Sequence, residues 1–213
     1  MFAARWVNTL PRRVALCALL LASLGACALT TDEIDLDYQS ITPQNVVAGT
    51  NSVIVQVTAA EGCFSNLDKV SVKKNGHGME MASIISKQSI PDLVRAAVEE
   101  ELKKEGFQIG VGPVLVDIEL KRFYNDFKVG FFSGNAVSDV TIVAQVKTRG
   151  GRIWYARSIT GEADEGGVMI FGGNNAKLSL DKAFAACVTH LMSDPNFIQA
   201  ILSASQPSRL SIS

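Results

Sequence analysis

The sequence predicts an α+β fold: a mainly antiparallel sheet with two long amphipathic helices on one face, in the order β-β-α-β-β-β-α-α. Three observations lead there. Several runs alternate apolar and polar residues with period two, as half-buried strands do. Two other runs repeat apolar residues at period 3.6, as helices lying on a core do. The pair Gly150-Gly151 joins two of the alternating runs as a tight hairpin, so those neighbours are antiparallel. Composition permits a real core: 213 residues, 47% hydrophobic and 19% charged, with 20 Lys and Arg against 21 Asp and Glu. These proportions exclude a disordered chain and a strongly basic nucleic-acid binder. The one long apolar run stands at the N-terminus, which excludes a polytopic membrane protein.

Residues 1–26 read as an export signal. Arg5, Arg12 and Arg13 precede the apolar stretch Val14–Leu24, and no acid interrupts them. The stretch is too short for a comfortable membrane span, which needs ~20 apolar residues. Arg12-Arg13 lacks the flanking pattern of a twin-arginine signal. Leu24-Gly25-Ala26-Cys27 follows, with small residues before a cysteine. This resembles the lipobox of bacterial lipoproteins. The resemblance implies cleavage between Ala26 and Cys27, then N-acylation and S-diacylglycerol modification of Cys27. Several acyl chains hold a protein stably where one holds it marginally. Residue 28 is Ala, not the Asp that retains lipoproteins at the inner membrane in enteric-type sorting. The expected destination is the outer membrane, facing the periplasm. The processed chain carries a net charge of about −4.

Residues 27–50 are expected to be a lipid-anchored tether, with Asp32, Glu33, Asp35 and Asp37 near its start. A single folded domain is expected over 51–204. Val53, Val55 and Val57 make 52–59 a strand, and Val70 and Val72 make 68–74 a weaker one. Asn75-Gly76-His77-Gly78 breaks the chain. Ser89 is placed to cap a helix that has Pro91 in its first turn. Ile90, Val94, Ala97, Val98 and Leu102 form its apolar stripe, and Gly106 stops it with Phe107 folding back. Residues 113–121, 136–148 and 152–160 alternate as three further strands. Leu180, Ala183, Phe184, Cys187, Val188 and Leu191 form the second helical stripe. Asp194-Pro195 starts a last short helix that buries Phe197, Ile198, Ile201 and Leu202. Residues 205–213 read as a frayed tail.

With the lipobox, three further segments carry a family resemblance. The first helix ends in Lys103-Lys104-Glu105-Gly106-Phe107. The strand Ser138-Asp139-Val140-Thr141-Ile142-Val143-Ala144 alternates. Ala183–Met192, followed by Phe197-Ile198, closes the domain. Over most of residues 50–203 the chain resembles the YajG-type family of uncharacterised bacterial lipoproteins. That resemblance supplies no catalytic residues and no activity.

The candidate chemistry is thin. His77 sits in a Gly-flanked turn and His190 on a helix, far apart in sequence, so a Ser/His/Asp triad has no support. Metal spacing of Cys and His is absent, and no cofactor is expected beyond the covalent lipid. Asp117 and Glu119 share one side of a strand, either as a carboxylate pair or as an ordinary charged face. Residues 166–173 form a Gly-rich loop before a helix, but without the Lys-Ser/Thr ending of a P-loop. Cys63 and Cys187 are either a periplasmic disulfide or two buried thiols. Two apolar loop clusters stand out. One is Phe123, Tyr124, Phe127, Phe131 and Phe132; the other is Val168, Met169, Ile170 and Phe171. If both lie at one end of the sheet they form an exposed patch for protein or lipid. Otherwise they fold down over the core. The function expected is protein–protein interaction or scaffolding in the periplasm, without enzymatic activity. The alternative is an auxiliary lipoprotein that carries a lipid-like ligand. A peptidoglycan hydrolase would need an acid/base pair that the sequence does not display.

Overall fold

A computed structural model describes residues 29–41, 46–62, 67 and 69–206. The signal, its cleavage site at Ala26 and Cys27, Cys63, and the tail from 207 onward lie outside the described residues. Among the described residues, eight strands and three α-helices follow in the order β1 (Asp32–Ile34), β2 (Ile54–Glu61), β3 (Ser71–Lys74), β4 (Glu80–Ser86), α1 (Ile90–Lys104), β5 (Gln108–Ile109), β6 (Val114–Lys128), β7 (Gly134–Thr148), β8 (Ile153–Val168), α2 (Gly173–Met192) and α3 (Pro195–Ser205). The architecture is α+β, with helices packed on a curled five-stranded sheet of order β5-β2-β6-β7-β8. A second, three-stranded sheet has the order β1-β4-β3.

Both sheets are mixed. β6–β7 and β7–β8 are long antiparallel hairpins, whereas β2 runs parallel to β6 and to β5. Period-two alternation gives no strand direction, so the parallel pairing is a finding of the structure. β6 is longer than its alternation suggests because of a bulge between Leu120 and Arg122. Lys121 and Arg122 both face solvent there, and the inward set resumes at Phe123, Asn125 and Phe127.

The core lies between the inner sheet face and the helices. Val116, Ile118, Leu120, Val140, Ile142 and Ala144 face Val98, Leu102, Leu180, Phe184, Val188, Leu191, Phe197 and Ile201, all buried. The helix signals work locally as the sequence implies. The Ser89 hydroxyl accepts the Asp92 N–H at 3.4 Å. At the C-terminus of α1, Gly106 takes φ 96°, Phe107 N–H bonds the Leu102 carbonyl at 3.0 Å, and Gly106 N–H bonds that of Lys103. α2 begins seven residues earlier than its apolar stripe. Its first turn, Gly173-Asn174-Asn175, has poor intrinsic helicity, and the Asp32 carboxylate holds it by accepting the Gly173 N–H at 2.9 Å.

The segment expected to be a tether is partly domain. β1 pairs in parallel with β4, Ile34 and Leu36 are buried, and the Tyr38 ring packs on Phe184 with centroids 5.2 Å apart. Ile34, Leu36 and Tyr38 alternate with Asp35 and Asp37, a strand-like signal masked by the density of acids. The small sheet is joined to the large one through buried polar groups. Ser71 donates to Asn125 Oδ1 and Asn125 Nδ2 donates to Ser138 Oγ, each at 3.1 Å, while Asn125 N–H bonds the Val70 carbonyl. Each of these side chains finds a partner, which offsets the cost of taking it out of water.

Candidate functional site

The two apolar loops meet at one end of the sheet. Gly134, the first residue of β7, pairs with Val168, the last of β8, so the β6–β7 turn and the segment after β8 are side by side. The β3–β4 turn joins them: a Cβ on Gly78 would lie 3.9 Å from Val129, and Lys74 bridges to Phe171.

The nine loop residues singled out by sequence divide into two sets. Phe123 and Phe127 are core, packed on Phe184 at 5.8 Å and Phe171 at 5.6 Å. Val168 and Phe171 are also buried, and Tyr124 is half-buried under the Arg122 guanidinium. These five therefore do not belong to an exposed surface. The bulge in β6 turns Phe123 and Phe127 inward, and the Lys74–Phe171 bridge draws Phe171 under the small sheet. The other four are outside: Phe131 is 93% exposed, Phe132 87%, Met169 78% and Ile170 76%. Met79, which the sequence reading did not single out, joins them at 59%. Phe131 and Phe132 stack edge to face at 4.8 Å.

The base of this tip is electrostatically fixed. Asp126 takes Lys74 at 2.7 Å and Lys128 as partners. Burial opposes its ionisation, but the two ammonium groups hold its carboxyl below the ordinary value. Lys73 reaches Asp32 at 2.6 Å, which brings β1 to the same corner. An open groove of about 450 Å³ lies there, lined by Met81, Met169, Ile170 and Phe171 together with Asp32, Lys73 and Lys74.

A second surface lies along β8. Among the described residues, no strand pairs with its outer edge. Its later half is guarded: His190 Nδ1 bonds the Thr160 carbonyl at 2.8 Å, and Lys182 of α2 pairs with Glu165. Its start carries exposed Ile153 and Trp154, with the Arg152 guanidinium 4.1 Å from the indole centroid. Trp154 was not singled out by sequence, and the alternation puts Ile153 on one face with Tyr155 and Ile159; the register shift opposite Val146 and Lys147 leaves it exposed while Tyr155 is buried.

The remaining candidates have structural partners. Asp117 accepts the Thr58 hydroxyl at 2.7 Å and pairs with Lys147; Glu119 pairs with Lys121 at 2.5 Å. Each carboxylate has its own lysine on the solvent face of the sheet, as a charged strand face does. Asn75 Oδ1 organises the turn that holds His77 by accepting the N–H groups of His77 and Met79. Among the described residues, no group of three or more His, Cys, Asp or Glu is placed to hold a metal, and no helix is long and apolar enough to cross a membrane. The Cys187 thiol is free and buried, and burial pushes it up to about 12.

A family model described as an uncharacterised lipoprotein matches residues 42–202. No curated protein matches the chain. Among solved structures, a Xanthomonas campestris protein assigned to the family model DUF330 is 12% identical, with a TM-score of 0.49, covering 82% of this chain and 96% of that one. A minor lipoprotein from Acinetobacter baumannii is 8% identical, with a TM-score of 0.42, covering 68% and 94% respectively. Most of the chain lies inside the family match, and the protein belongs to this family of uncharacterised lipoproteins.

Proposed function

We propose that the protein is a lipid-anchored scaffolding module of the cell envelope. Cys27 carries the acyl groups, Ala28 releases the chain to the outer membrane, and the folded domain faces the periplasm and binds another envelope protein without catalysing a reaction. The observation that carries this reading is the outer edge of β8. It is 16 residues long, and its least guarded part ends in the exposed Ile153 and Trp154. An unpaired edge with apolar side chains at one end suits strand addition by a partner segment. It lies at the opposite end of the sheet from β1, where the N-terminal chain enters the domain. A strand of 16 residues rises ~50 Å, so this surface reaches well into the periplasm.

Photocrosslinking in cells from position 154 tests the reading. One reproducible envelope protein should be captured, and substituting Cys27→Ala should weaken capture by removing the protein from the membrane. The absence of any protein adduct at 154 would overturn the scaffolding role. The mass of the N-terminal peptide tests the anchor independently. The groove beside Met169 favours a second reading, that of a carrier for a lipid-like ligand; lipid released from the purified Cys27→Ala protein would establish it.

A further inference from the structure

We infer that the apolar tip is a second membrane contact, seated in the same leaflet that receives the acyl chains of Cys27. The inference rests on the anchor reading above and names what the exposed tip touches. Position selects the occupant. Asp32 is tied to Gly173 and Lys73, and Thr31 and Asp32 line one groove with Ile170 and Gly172. Cys27 precedes Asp32 by five residues, which span at most ~17 Å when extended. The long strands extend ~50 Å from the tip to the far end. The acylated residue therefore cannot reach the far end of the domain, and the bilayer lies on the tip side.

Charge agrees with position. Residues 75–79, 129–133 and 166–173 contain no Asp, Glu, Lys or Arg. Phe131, Phe132, Met169, Ile170 and Met79 can enter the acyl region without desolvating an ion, which is the main cost of burying a protein surface in lipid. The flanking charges begin at Lys74, Glu80, Lys128 and Glu165, at the level where head groups would lie. Lys74 and Lys128 share Asp126, so the base of the tip is stiff. A protein partner could also cover five apolar side chains. What favours lipid is that the anchor delivers this surface to the bilayer before any partner arrives.

The test uses the full chain isolated from membranes and placed in vesicles of phosphatidylethanolamine and phosphatidylglycerol. Trp6 leaves with the signal, so Trp154→Phe supplies a background for single indoles introduced as Phe132→Trp or Met169→Trp. Brominated lipid should quench both introduced indoles several-fold more than it quenches native Trp154, and their emission should shift to the blue. Quenching by aqueous acrylamide with none by lipid, in protein whose Cys27 carries acyl groups by mass spectrometry, would overturn this inference alone. Unmodified Cys27 would overturn the anchor reading and this inference with it. Photocrosslinks from Phe131 to a protein rather than to lipid would also overturn it.

Discussion

Gly161→Ala should destabilise the domain by about 2–3 kcal/mol, near the upper end for added methyl groups in a packed site. Gly161 is in β8 directly beneath α2. A Cβ there would lie 2.2 Å from the Cys187 amide nitrogen, 2.3 Å from the Ala183 carbonyl oxygen and 2.6 Å from Cys187 Cα. All three atoms are backbone, so no side-chain rotation relieves the clash. Non-bonded heavy atoms settle at ~3.5–4.0 Å, so α2 must retreat by roughly 1 Å, and a gap of that size forfeits up to half of each affected contact. The helix would loosen over Ala183, Phe184, Cys187 and Val188, which are fully buried. Alanine also restricts the unfolded chain, which offsets ~0.4–1 kcal/mol of the loss. At 2–4 °C per kcal/mol for a domain of this size, the melting temperature should fall by about 4–12 °C. Urea unfolding followed by circular dichroism measures it, with Gly150→Ala as the control. A Cβ on Gly150 meets only the Thr148 hydroxyl oxygen, at 3.8 Å, so that variant should stay within about 0.5 kcal/mol. Equal stabilities for the two variants would refute the close approach of α2 to β8.

The division of the aromatic residues predicts that Phe127→Ala costs ~3–5 kcal/mol while Phe131→Ala costs less than ~0.5 kcal/mol, measured by the same unfolding assay. Asp194 caps α3 through the Asn196 N–H at 2.9 Å and accepts the Tyr155 hydroxyl at 3.0 Å. Burial opposes its ionisation, yet those bonds and Arg157 hold its carboxyl below the ordinary value. Its stabilising contribution is therefore complete above the unfolded carboxylate range and is lost as pH falls through the lower folded value. Asp194→Asn should keep the cap but flatten the acid limb of the stability profile, whereas Asp194→Ala should also lose ~0.5–2 kcal/mol at neutral pH. A buried thiol raised to about 12 should not react with an aromatic disulfide reagent in the native protein. After unfolding without reductant, Cys63 and Cys187 should both react as free thiols, and reaction of neither would show a bridge instead.

What the sequence displays best is whatever depends on near neighbours. The cap at Ser89, the stop at Gly106 and the start at Asp194-Pro195 are local chemistry, and each is found where its residues stand. The inner faces of β6 as far as Leu120 and of β7 follow their alternation because a sheet with one covered face enforces it, whereas in β8 a register shift beside Trp154 leaves Ile153 exposed. Features made by distant residues were not legible. The β6 bulge looks in sequence like the end of a strand, because Lys121-Arg122 interrupts the period. β4 and β5 carry no clean alternation and exist through pairing with β3, β1 and β2. The first turn of α2 depends on Asp32, 141 residues away. The tip shows both cases: composition marked its loops, but only strand register could divide Phe131 and Met169 from Phe127 and Phe171. Trp154 and Ile153 carry no motif, since an edge is defined by which strand fails to appear beside it.

The docking of β1 also has a mechanical consequence. Any pull on the N-terminal chain enters the domain at Asp32 and runs along the axis of β1. Because β1 lies parallel to β4 over Asp32–Ile34, that load shears three ladder positions together instead of peeling them one at a time. The Asp32 carboxylate adds cross-ties to Lys73 on β3 and to the start of α2, so force spreads across the small sheet and into the helix. The segment that first reads as a slack leash is thus a shear clamp, and tension would reach the core without first unravelling an edge.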